Sequence, residues 1–154
     1  MAAEFELLGP SDKPALLGLS DPTLQGLARK ALEELGYKVH TVANHAEFLA
    51  RFAQIQYQVV VLEELFNAST SLENRALTSL QSMPMAQRRA AVSLLFGRTF
   101  QTLHPMQAFQ QSVHAVINTA DTEKLGQIVA KVVADHALLY GIFRDAQLRL
   151  AQGK

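Results

Sequence analysis

Short apolar runs alternate with longer amphipathic stretches along this chain. Ala15–Leu19, Tyr57–Leu62, Ala91–Phe96 and His114–Asn118 are near-continuous runs rich in Val and Leu, and Val39–Val42 is a weaker fifth. A strand with one face in water carries a polar residue at every second position. These runs do not, so each reads as a strand covered on both faces. The intervening stretches supply the covers as helices, and crossovers of this kind close right-handed onto a parallel sheet. The pattern predicts an α/β domain built on a doubly wound, five-stranded parallel sheet.

Capping chemistry marks the helix boundaries. Ser20-Asp21-Pro22 places a polar cap before a proline suited to a first turn; Leu24, Leu27, Ala31, Leu32 and Leu35 then share one face, and Gly36 ends the helix. Asn44 with Glu47 has capping-box spacing and opens a helix whose inner face is Phe48, Leu49 and Phe52. In the third connection, Asn67–Ser71 reads as a loop and Leu72–Leu80 as a helix, and Pro84 interrupts the stretch after it. His104-Pro105 starts another helix, with Met106 and Phe109 facing inward.

The last helix has a different pattern. Leu125, Val129, Val132, Leu139, Phe143, Ala146 and Leu150 follow one another in the alternating steps of a heptad seam, with His136 in the remaining position. From Thr122 to about Gln152 such a helix spans about 45 Å, longer than a domain of this size covers, so its end projects or finds a partner. The chain divides into residues 1–13 as an extension or linker, 14–135 as the domain and 136–154 as the protruding helix end. Phe5-Glu6-Leu7-Leu8 reads as a linker remnant or an extra edge strand.

Composition narrows the classes. At 154 residues, 49% hydrophobic and 18% charged, the chain suits one domain with a real core. Fourteen basic residues balance fourteen acidic ones, so no long-range field draws in nucleic acid or anionic lipid. Absence of cysteine removes disulfides, thiolate nucleophiles and cysteine-held metals. The N-terminus lacks a basic stretch followed by an apolar run, and no run approaches the roughly 20 apolar residues of a membrane span. The expected setting is cytoplasmic, with neither nucleic acid nor membrane as partner.

The order of elements, and the stretches SDPTLQGLARKALEELGYKVHTVAN and YQVVVLEELF, resemble the receiver domain of two-component response regulators over roughly residues 15–135. The resemblance implies a flavodoxin-like, receiver-like sheet with, here, an extended C-terminal helix. It also implies where phosphorylation chemistry would sit. Receivers hold magnesium with an acidic pair after the first strand and accept phosphate on an aspartate ending the third. Aligned on Pro22, the acidic pair falls on Leu19 and Ser20, with Asp21 nearby, and the phosphoacceptor falls on Glu63. The switch hydroxyl falls on Phe96, with Thr99 the nearest substitute, and the phosphate-pairing lysine falls on Thr119, with Lys124 farther along.

These positions are altered together, and the chain is therefore identified as resembling a degenerate receiver, a pseudo-receiver. A hard cation lacks its clustered oxygens, and the extra methylene of Glu63 moves the carboxylate off the in-line geometry. The expectation is no phosphotransfer, no catalytic residue, no metal and no cofactor. Glu63 carries two readings: a fixed charge imitating a phosphorylated state, or a polar strand end that is solvated or caps a helix.

Other candidate chemistry is sparse. The histidines, His40, His45, His104, His114 and His136, show no metal-ligand spacing. His136 on the seam is either a pH-sensitive or register-setting polar group or a half-exposed residue at the domain edge. Gly18-Leu19-Ser20 lacks the second glycine of a nucleophile elbow, and Gly9-Pro10-Ser11 and Gly97-Arg98-Thr99 are not phosphate loops. Arg88, Arg89 and Arg98 read as a small basic patch or as solvated surface.

The functional expectation is a phosphorylation-independent, non-enzymatic signalling module for protein-protein interaction, homodimeric through the last helix. Its binding face is expected to hold Phe109, Lys124, His136, Leu139, Ile142, Phe143, Ala146 and Leu150. The alternative is a ligand-binding or enzymatic flavodoxin-like domain, with a pocket at the carboxyl ends of the strands near Ser20, Asp21, Glu63 and Gly97.

Overall fold

Alternate residues of each strand enter two separate apolar layers. Ala15 and Leu17 of the first strand lie on one side of the sheet with Val59, Val61, Leu94, Phe96 and Ile117. Leu16 lies on the other with Val60, Leu62, Leu95 and Val116. Strand periodicity is therefore kept, but both faces are apolar, which is why the sequence shows runs and not alternation.

The computed structural model describes residues 8, 9 and 11–153. Strands β1 (Lys13–Gly18), β2 (Tyr37–Thr41), β3 (Val59–Glu63), β4 (Val92–Gly97) and β5 (Ala115–Asn118) form one parallel sheet in the order β2-β1-β3-β4-β5. Every strand expected from the sequence is present, with ends within two residues of those expected. Residues Phe5–Leu7, expected as part of a linker or edge strand, lie outside the described residues.

Helices α1 (Pro22–Glu34) and α6 (Leu125–Ala151) cover the first layer; α2 (His45–Gln54), α3 (Arg75–Gln81) and α5 (Pro105–Gln111) cover the second. A short α4 (Met85–Ala90) follows Pro84. The helix starts are capped where expected: Asp21 accepts the Thr23 N–H at 2.9 Å and Asn44 Oδ1 accepts the Glu47 N–H at 2.9 Å, while the Glu47 carboxylate accepts the Ala43 N–H at 2.7 Å in place of the Asn44 N–H of a capping box. The buried face of α1 is Leu24, Ala28 and Leu32 with Ala31 and Leu35 alongside, whereas Leu27, expected inward, is 46% exposed.

Two helical expectations are corrected. The third connection is not helical from Leu72; a 3-10 turn, Ser71–Glu73, leaves Leu72 92% exposed, and α3 begins only after Asn74. The Asn74 side chain accepts the Leu77 N–H at 3.1 Å, so it starts a helix where the apolar pattern suggested a helix interior. In α5, Met106 and Phe109 point outward, 58% and 79% exposed, and Ala108 is the buried residue. Each residue turns a helix by about 100°, so fixing Ala108 on the sheet swings both larger side chains away. His104 caps this helix at one end and Ser112, left-handed at φ 55°, stops it at the other, leaving it too short to bury a second row.

Leu125, Ile128, Val129 and Val132 bury the first half of α6. Its 27 residues make a rod of about 40 Å, and beyond His136 it runs past the edge of the sheet with Leu138, Leu139, Ile142, Leu148 and Leu150 exposed. The stretch Thr119–Ala151 contains an 18-residue window of mean hydropathy 1.2, long and apolar enough to span a membrane by length and composition, contrary to expectation. Its first half is already packed on the sheet, and the remainder from Ala137 is only about 22 Å long, short of a hydrocarbon core of about 30 Å.

Candidate functional site

In a sheet of this order the connections from β1 and β3 leave on opposite sides, which opens a cleft at their carboxyl ends. There the chain places Asp21, Glu63, Thr119 and Arg98, together with Leu24, Leu27 and Glu123, around a cavity of about 380 Å³. Three of the positions that the receiver resemblance singles out, Asp21, Glu63 and Thr119, thus meet. Leu19 and Ser20 border a neighbouring cleft with Thr41, Glu47 and Asn67, and Phe96 lies wholly buried beneath.

The side chains in this cleft are committed to holding the backbone. Glu63 Oε1 accepts the Ser20 N–H at 2.8 Å, and Ser20 Oγ accepts the Asn67 N–H at 2.9 Å, so the loop after β1 is tied twice to the β3 end. Asp21 caps α1. Leu19, 3% exposed, is part of the apolar layer, where a carboxylate would have to be desolvated. Glu64 is held above the usual carboxylate range by burial, and its N–H donates to the Phe96 carbonyl at 2.8 Å. Magnesium needs several convergent oxygens, and among the described residues no group of three acids or histidines converges to hold a metal. The donor set does not fit the cation that receivers hold.

The loop between β4 and α5 is equally fixed. Phe100 folds back over Gly97, so that a Cβ on Gly97 would meet the ring at 2.6 Å. Asn118 Nδ2 donates to the Arg98 and Phe100 carbonyls at 3.2 and 2.8 Å, and the Asn118 N–H donates to Thr102 Oγ1 at 2.9 Å. Thr102 in turn donates to the Asp121 carboxylate. Thr99 is exposed on the turn. Sequence reasoning missed Asn118, Thr102 and Asp121, although Asn118 at a strand end before a polar run is the kind of residue that caps a helical turn.

A second site lies at the opposite end of the sheet, where α6 leaves the domain. Met85, Arg88, Arg89, His114, His136, Leu139, Tyr140 and Phe143 line a groove of about 420 Å³ between α4 and α6. His114 Nδ1 accepts the Ser93 N–H at 3.0 Å, which places the proton of the neutral ring on Nε2. Burial, with His136 and Arg88 nearby, lowers the His114 pKa to about 4. His136 is also lowered, chiefly by burial, and its ring stands edge-on to His114 with centroids 4.9 Å apart. It is half-buried at the domain edge, where Tyr140 stacks on it and Phe143 on Tyr140.

The arginines do not form one patch. Arg88 donates to the Ser112, Leu80 and Gln81 carbonyls, tying α4 to the ends of α3 and α5. Arg89 lies over the Phe143 ring at 4.3 Å, and Arg98 is beyond the far end of β4. Of the residues expected on a binding face, His136, Leu139, Ile142, Phe143, Ala146 and Leu150 are on one projecting helix, and Phe109 borders an adjoining cleft that shares Arg88 and His114 with the groove. Lys124 precedes the other end of α6, about 22 Å from Leu139, and is not brought to that face.

No family model and no curated protein matches the chain. Solved structures do. An orphan response regulator of H. pylori superposes at TM-score 0.59 with 15% identity, over 79% of this chain and 96% of that one. The chemotaxis response regulator CheY4 of Vibrio cholerae gives 0.63 with 15% identity, over 79% and 99%. The receiver domain of a sensor histidine kinase of Pseudomonas aeruginosa, which holds magnesium in its active-site cleft, gives 0.61 with 15% identity, over 80% and 99%. The chain has the receiver fold of two-component response regulators, a five-stranded flavodoxin-like sheet here continued by a long C-terminal helix.

Proposed function

We propose that this chain is a pseudo-receiver: a non-enzymatic, phosphorylation-independent interaction module of two-component signalling type that associates with a second copy through α6. The carrying observation is the set of exposed apolar side chains on one side of α6 beyond the domain, Leu139, Phe143 and Leu150 with Ile142 flanking, beside the groove that Leu139 and Phe143 line. A helix end left alone with that face in water forgoes roughly 25 cal/mol for each Å² that a partner would cover.

Phosphorylation independence is supported by the cleft. Glu63 already bonds the Ser20 amide, which favours a latch at the strand end over a mimic of a phosphoryl group, and Phe96 and Thr119 replace the hydroxyl and the lysine. The same reading places the chain in the cytoplasm with a protein partner and without nucleic acid or membrane.

Mass in solution tests the association: the wild type is expected as a dimer and Phe143→Glu as a monomer, and a wild type that is monomeric at all concentrations overturns it. Acetyl phosphate with magnesium tests the pocket; a rise in melting temperature above about 2 °C would indicate binding there and count against the reading.

A further inference from the structure

We propose that the two copies of α6 pair antiparallel about a two-fold axis near Ile142, each tail lying across the groove between α4 and α6 of the other. The proposal rests on the self-association reading and gives it a direction. Three features of the helix point the same way.

The first is charge. Asp135, Ile142 and Arg149 share one flank of the seam, spaced a heptad apart, with opposite charges on either side of an apolar centre. In an antiparallel pair centred on Ile142, Asp135 of each copy meets Arg149 of the other, and Ile142 meets itself. In a parallel pair each residue of the seam meets its own counterpart, and this complementarity across the axis is unused.

The second is size. The seam layers themselves are centred one residue before that flank, level with Gly141, which sets His136 opposite Ala146 and Leu139 opposite Phe143. His136 is a bulky ring already held between His114 and Tyr140, so it needs a small residue across from it. Ala146 supplies one, and the relation is reciprocal, as a two-fold interface requires.

The third is access. Asp135 and Arg149 are exposed, and the Asp135 carboxylate, now 2.6 Å from Lys131 Nζ, remains 63% accessible. The groove beside them is lined mostly by apolar and aromatic side chains with Arg89 at Phe143, which suits an apolar helix end.

Absence of native cysteine allows a direct test, because each single-cysteine variant carries one thiol. Ile142 and Leu150 are 63% and 78% exposed, so neither replacement disturbs the core. With a short bis-maleimide linker, Ile142→Cys is expected to give a covalent dimer. Leu150→Cys is expected to give little, its partner thiol lying about 25 Å away along the helix axis. Asp135→Arg and Arg149→Asp are each expected to weaken the dimer by about tenfold, and the double exchange to recover most of that loss. A dimer that cross-links readily at Leu150→Cys, whether or not Ile142→Cys does so too, or a double exchange no better than the single ones, overturns the antiparallel register while leaving self-association intact. A wild type that is monomeric by mass overturns both.

Discussion

The Glu63 carboxylate at the end of β3 accepts the Ser20 backbone N–H across the cleft at 2.8 Å, joining two loops more than forty residues apart in sequence. The contact is at the surface, so its net worth is that of an ordinary charge-assisted hydrogen bond. Glu63→Ala is expected to lower stability by about 1 kcal/mol and Glu63→Gln by less, since the amide oxygen still accepts. Urea unfolding of the three proteins measures the order, and no loss for Glu63→Ala would show that the bond contributes nothing.

Shortening the side chain in place is not expected to create a phosphoacceptor. Glu63→Asp moves a carboxylate toward in-line geometry but leaves Leu19 buried and Ser20 without a charge, so no cation cage forms. Intact mass after incubation with acetyl phosphate and magnesium is expected to show no phosphoryl adduct on the wild type or on Glu63→Asp.

Asn74 is a stronger structural link than any residue in the cleft. It is fully buried, its amide donates to the Glu63 and Glu64 carbonyls at 3.0 Å each, and its oxygen caps α3. Asn74→Ala loses the cap and leaves two carbonyls short of a donor, for an expected loss of about 2–3 kcal/mol. Asn74→Asp keeps the cap but sets a carboxylate against those carbonyls, so it is expected to be no better. Denaturant midpoints with unchanged slope are the measurement.

Gly97 is constrained by space and not by backbone angle. A methyl there would lie 2.6 Å from the Phe100 ring, and moving that ring opens the second apolar layer. Gly97→Ala is expected to lower stability by about 1–3 kcal/mol, and combining it with Phe100→Leu to cost less than the sum of the two changes.

His114 gives the stability a pH dependence of known sign. Its folded pKa is about 4, against an ordinary value of 6.5, because burial, His136 and Arg88 all disfavour the cation. The unfolded chain therefore takes up the proton first. The contribution is complete above pH 6.5, declines as pH falls toward 4 and levels off below, with a limiting slope of about 1.4 kcal/mol per pH unit. His136, shifted in the same direction, steepens the decline. Unfolding free energies between pH 7 and 5, above the main carboxylate range, are expected to fall for the wild type and to fall less for His114→Gln.

What the sequence determined by itself is whatever depends on local periodicity. Unbroken apolar runs identified strands with two covered faces, and Asp21-Pro22 and Asn44 with Glu47 identified helix starts, because a strand face or a cap is decided within a few residues. The length of α6 was legible for the same reason. The tertiary structure alone decided which donors meet. Glu63 with Ser20, Asn74 with the Glu63 and Glu64 carbonyls, Asn118 with the Phe100 carbonyl, and His114 with Ser93 and His136 depend on where distant segments are set by sheet order. It also decided the outward turn of Met106 and Phe109. An apolar side chain on a short helix follows whichever face its ends pin to the sheet, and no spacing within the helix records that choice.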